Sequence, residues 1–182
     1  MKKLIAFFCA FLCCNMIFAQ SFEVPKDYKL VAKEDYAPYE QDIVKCVDWL
    51  INTPIDQEQE KRKEANTFLI AWVSGSPTVH IVIDTDKIVN FLDGKNHDLL
   101  VVFIGGWVKK TIETNNYQNT VALAKSDTDG MISGNLAGIE AVIEFYNKNK
   151  KVLGNNKNIE NYIKLQKQGK LKGFIAKNIN RK

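Results

Sequence analysis

Histidine is the commonest metal ligand and general base, and this chain has two, His80 and His97, seventeen positions apart. That spacing builds no His-Glu-x-x-His pair, so neither a metal site nor a cofactor is expected. His97 stands beside Asp98 at a predicted helix start and reads as a loop or cap residue. His80 alternates with apolar neighbours, as a structural histidine does, and ligand binding is its sharper alternative. Asp127-Thr128-Asp129-Gly130 resembles a calcium loop only briefly. With Gly130 at the obligatory glycine, Lys125 falls on the first ligand position and Leu136 on the last, where a bidentate Glu is needed. A turn is the better reading.

Nucleophilic catalysis needs a poised Ser or Cys with a base and a group to orient it. Gly75-Ser76-Pro77 lacks the Gly-x-Ser-x-Gly frame, and Gly105-Gly106 lacks the Lys-Ser/Thr of a phosphate-binding loop. Glu140 and Glu144 lie one helical turn apart and are the carboxylates a hydrolase would draw on; the plainer reading is a solvated face. No catalytic residue is assigned.

The binding candidates are Arg62, Trp72, His80 and Trp107. Arg62 is the only arginine before Arg181 in a chain whose other cations are lysines. Its fork could take a carboxylate in two bonds, Glu58 or a partner's, whereas the plain alternative is a solvated helix face. Trp49, Trp72 and Trp107 each end an apolar stripe; they could line one cavity or simply fill the core.

The elements that must position these residues begin with an export signal. Lys2 and Lys3 precede an apolar run from Leu4 to Phe18, broken only by Asn15, and Ala19 supplies the small residue a signal peptidase needs. The run is too short, against ~20 residues, for a permanent anchor. Residues 1–19 are therefore predicted to be a signal peptide. The protein is expected in the periplasm or outside the cell, with no transmembrane helix in the mature chain. Cys9, Cys13 and Cys14 leave with the leader. Only Cys46 stays, between Ile43 and Leu50 at helical spacing, so a buried inert thiol is expected and no disulfide framework.

Helical periodicity dominates the rest. Residues 20–37 read as an extended lead-in and 38–182 as a helical domain. Ile43, Val44, Val47, Leu50 and Ile51 recur at three- and four-residue steps. Thr53 and Asp56 have capping-box spacing with Pro54 at the first helical position, predicting a second helix from there, with Ala65, Phe68, Leu69 and Trp72 inward. Gly75 and Pro77 stop it. Residues 79–83 suit a short strand, Asp86–Leu92 a short helix closed by Gly94, and Tyr117–Ala124 another. Leu99–Ile104 fits a strand or a helix; the continuation through Val108 and Ile112 favours a helix in which Gly105-Gly106 allow close approach of a neighbour. Ser126–Gly134 reads as a polar loop. A clear amphipathic stripe follows from Leu136 to Tyr146, with Gly134 and Gly138 suited to tight helix packing. Gly154-Asn155-Asn156 makes a loop, and two more helices end at Gly169 and near Ile179. The predicted fold is mainly α, a multi-helix bundle or short helical solenoid; the alternative is α/β with strands at 79–83 and 99–104.

Charge is lopsided. Residues 148–182 carry ten lysines and Arg181 against Glu160 alone, a net +10, while 20–147 carry −8. Such a segment attaches to an anionic surface or simply coats a helix that faces the acidic body. Few aromatics and a nearly all-lysine composition give no stacking or fork-like phosphate reading, so no nucleic acid is expected. The function predicted is a non-catalytic binding or interaction module with a protein or anionic cell-envelope partner. The alternatives are a carboxylate hydrolase and electrostatic attachment through the lysine-rich C-terminus.

Overall fold

The computed structural model describes residues 22–84, 88–92, 97–115 and 128–180. Expectations for the leader, for residues 86 and 87 and Gly94, and for a helix over 117–124 lie outside these. Six α-helices and no strand occur among the described residues: α1 Glu40–Asn52, α2 Gln59–Gly75, α3 His97–Thr114, α4 Thr128–Leu153, α5 Lys157–Lys167 and α6 Leu171–Ile179. The mainly α bundle stands and the α/β alternative does not.

At the centre, α3 and α4 form the most extensive pair. Small residues make this possible. Phe103 and Trp107, one turn apart with ring centroids 6.1 Å from each other, lie over Gly138 and Gly134 of α4. Gly106 faces Ala137, Gly138 and Ala141. The glycines that weaken helix propensity are the ones that let the two backbones meet. Leu99–Ile104 is therefore helical, and its apolar run is covered on several sides. α1 packs on α2, α3 and α4, while α5 and α6 lie on α4. The stripes Ile43, Val47, Leu50 and Ile51 on α1 and Ala65, Phe68, Leu69 and Trp72 on α2 are buried as their spacing requires.

Three boundaries differ from expectation. α2 starts at Gln59, not Pro54, because residues 53–58 form a turn in which Gln57 N–H donates to the Pro54 carbonyl. Glu58, in left-handed backbone at φ 46°, then leads into the helix. α4 starts at Thr128, so most of the expected Ser126–Gly134 loop is helix; Ile132 and Gly134 are buried there, and the Trp107 ring on Gly134 outweighs poor local propensity. Residues 79–83 are not a strand: Val79 points inward, Val82 and Ile83 are 45% and 40% exposed, and no ladder forms.

The lead-in is seated on the bundle. Phe22 is 3% exposed against Trp49, and the Tyr36 phenol lies on Gly75 while its carbonyl accepts from Trp72 Nε1 at 2.9 Å. Cys46 is fully buried, its Sγ 3.5 Å from the Ala65 carbonyl, and burial pushes its thiol far above the usual range. Cys46 is expected to ignore an aromatic disulfide reagent in the native protein and to react with it in concentrated guanidinium. Rapid native labelling would contradict this burial.

Candidate functional site

The α5–α6 hairpin is built by caps and a narrow apolar stripe. The Asn156 side chain caps α5, accepting from the N–H groups of Asn158 at 3.1 Å and Ile159 at 3.2 Å. Its amide also donates to the Phe91 carbonyl at 2.9 Å, and Asn158 Nδ2 donates to the Asn90 carbonyl at 2.6 Å. Ile159 and Tyr162 face inward. The Tyr162 hydroxyl donates to the Ile88 carbonyl at 2.6 Å, and burial raises that phenol to about 12. Gly169, at φ +67°, turns the chain into α6, which buries Leu171 and Ile175.

That inward stripe fixes what faces out. Lys157, Lys164 and Lys167 recur at seven- and three-residue steps opposite Ile159 and Tyr162, and all are exposed. Lys170, Lys172 and Lys177 continue the exposed cations through the turn and along α6. The one acid of this segment is already engaged: Glu160 accepts from Lys150 Nζ and from the Tyr146 hydroxyl at 3.0 Å. Lys150 and then Tyr146 hold the Glu160 carboxyl below the usual range, and Glu160 holds Lys150 above its own. Among the described residues, none of those six lysines makes an ion pair, and Lys148–Glu144 at 2.7 Å is the only pair reaching an acid before residue 148. The lysines coat the surface, as the sequence suggested, and among the described residues these six form no ion pair with the acids of the body. Beside α5 lies a shallow depression of about 390 Å³ lined by Glu160, Ile163, Lys164, Lys167 and Gln168.

A second concavity, of about 220 Å³, opens between α1, α3 and α4 over Gly106, Ala137 and Ala141. Glu140 and Glu144 stand on its rim with Asp48 and Glu113, so the structure does bring the two expected carboxylates to one cleft. Both are exposed. Glu144 is held by Lys148, and Lys109 bridges Asp48 with Glu113 3.7 Å away. The rim is a mixed-sign lattice in which the carboxylates of Asp48, Glu113 and Glu144 are paired with lysines.

Arg62 is not on a solvated face. It is 2% exposed, and among the described residues no carboxylate takes its fork in two bonds. Nη2 donates to the carbonyls of Thr53 at 2.7 Å and Pro54 at 3.3 Å, and Nη1 to that of Leu50 at 3.3 Å. Glu58 pairs with Lys61 instead; the nearest carboxylate to Arg62 is Asp98, 3.9 Å away. The guanidinium lies between the rings of Trp49 and Phe145, at 5.6 and 5.5 Å. Burial draws its pKa down, opposed by Asp98 and Glu58. This is a core cation that satisfies the C-terminal carbonyls of α1 and the turn after it.

The other candidates are not gathered around it. Trp72 is fully buried and bound to Tyr36, Trp107 covers Gly134, and His80 is exposed on the extended segment. The α5–α6 lysines combine exposure with the lack of an ion pair among the described residues. Compared with family models, with characterised proteins and with solved structures, the chain finds no match.

Proposed function

We propose that this protein is an exported, non-catalytic interaction module that engages an anionic partner through the lysine face of α5 and α6. The observation that carries this reading is that six exposed lysines on one hairpin lack an ion pair among the described residues, while the segment's lone acid is tied to Lys150. Cations left uncompensated on a fixed scaffold attract anionic surfaces over roughly a Debye length, about 8 Å at physiological salt. Export is supported by the Lys2–Lys3 start, the Leu4–Phe18 run and Ala19. Among the described residues no helix is long and apolar enough to cross a membrane, which suits surface attachment. A hydrolase reading has Glu140 and Glu144 in its favour only by proximity.

Fractionation of producing cells tests the proposal. The mature protein should sediment with the envelope at low salt and be released by a high-salt wash. Lys157→Glu/Lys164→Glu/Lys167→Glu should remain soluble at both salts. Equal sedimentation of that variant, or retention indifferent to salt, would remove the lysine face as the working surface.

A further inference from the structure

We propose that the anionic partner is the headgroup surface of a lipid bilayer, on which the α5–α6 hairpin lies flat with Ile163 reaching into the interface. This rests on the lysine-face reading above and names its partner.

Three features select a bilayer over a hydrophilic polyanion. The first is the cation chosen. Every exposed cation described on α5 and α6 is a lysine. Lysine is a point charge that suits a diffuse, laterally mobile layer of headgroups, whereas a fixed array of phosphates or carboxylates is read by the arginine fork. The second is the shape of the face. It consists of the outward sides of two adjacent helices on α4, with a depression alongside α5 lined by four residues of that helix and its C-cap Gln168, rather than a walled groove that would enclose a polymer strand. The third is an apolar element among the charges. Ile163 packs in part against the core and leaves its remaining surface in the depression beside Lys164 and Lys167. A sugar-phosphate or polyphosphate chain offers that side chain nothing. A leaflet offers headgroup charge to the ammoniums and, a few ångströms deeper, an acyl boundary to the isoleucine and to the lysine stems. Each lysine held at an anionic leaflet is worth about fivefold in partitioning, so a handful suffices without a lipid anchor.

Sedimentation of the mature protein with vesicles decides the matter, with polyphosphate as the soluble polyanion. The protein should bind phosphatidylcholine vesicles that contain phosphatidylglycerol and ignore phosphatidylcholine alone. Lys164→Glu/Lys167→Glu should weaken vesicle binding at least about tenfold. Ile163→Thr should weaken it about threefold with polyphosphate binding unchanged, and Ile163→Trp should tighten it, which covers the case in which threonine unsettles α5. Should polyphosphate bind as tightly as the anionic vesicles, with neither Ile163 variant shifting the vesicles, the partner is a hydrophilic polyanion. The bilayer is then overturned while the anionic reading survives. Binding to neither probe would end both.

Discussion

Gly106→Val lowers the unfolding free energy by about 3 kcal/mol and the midpoint of thermal unfolding by roughly 10 °C. Two effects of opposite sign meet at this residue. Removing a helical glycine gains about 1 kcal/mol in backbone propensity, or less for a β-branched replacement. Against that, a Cβ at Gly106 would stand 2.6 Å from both the Ala137 carbonyl oxygen and the Ala141 Cβ, far inside contact distance. A backbone oxygen in the middle of α4 cannot rotate away, so the helices must part and α3–α4 packing is lost along its length. Gly138 is under the same constraint, 2.7 Å from the Phe103 ring and 2.8 Å from its carbonyl oxygen. Gly173 in α6 is the control: nothing lies within 4 Å of its would-be Cβ, and Gly173→Ala should stabilise by about 0.5–1 kcal/mol. Circular-dichroism melts of the two variants decide this, and a Gly106→Val protein as stable as wild type would refute the close approach.

Arg62→Met costs about 3 kcal/mol. Methionine keeps most of the stem's packing between Trp49 and Phe145, so the loss isolates the polar fork. A buried ion replaced by an apolar side chain is sometimes neutral or favourable, when its partners leave with it. Here the partners are the carbonyls of Leu50 and Thr53, which stay behind without the guanidinium, and that of Pro54, which keeps only the Gln57 N–H. Asp98 adds little, since its side chain is 26% exposed and water can take over. Arg62→Lys should recover part of the loss, because one ammonium cannot reach carbonyls spread over two turns. Urea titration should show a lower midpoint with an unchanged slope. A Met variant that resists urea better than wild type would overturn the role given to the fork.

The sequence revealed the fold where apolar spacing was uninterrupted. The α1 stripe and the inward face of α2 could be read residue by residue, as could Cys46 between Ile43 and Leu50. Gly105-Gly106 and Gly134/Gly138 could be read as contact points, but not which glycine met which ring, because that register depends on the distant partner. The same dependence hid the first turns of α4: Gly130, Ser133 and Gly134 are poor helix formers alone, and the packing of Gly134 under Trp107 could not be foreseen. Arg62 carried a legible signal. It lies three residues before Ala65 and seven before Leu69, on the buried stripe itself, so its charge disguised an inward position. For the lysine segment, composition gave the sign of the charge; whether that charge was neutralised by the body required coordinates.

The way the lysine hairpin is fastened has a consequence for solution behaviour. Its ties to residues 88–92 are amide and phenol hydrogen bonds from Asn156, Asn158 and Tyr162, and its seat on α4 is Ile159, Leu171 and Ile175. Apart from Lys150–Glu160, these fastenings are uncharged, so ions in solution have little to screen in them. Ionic strength therefore acts on the outer layer and leaves the inner one alone. Under the proposed attachment, salt would take the protein on and off a charged surface while its architecture stays fixed, so that adhesion and folding would answer to different variables.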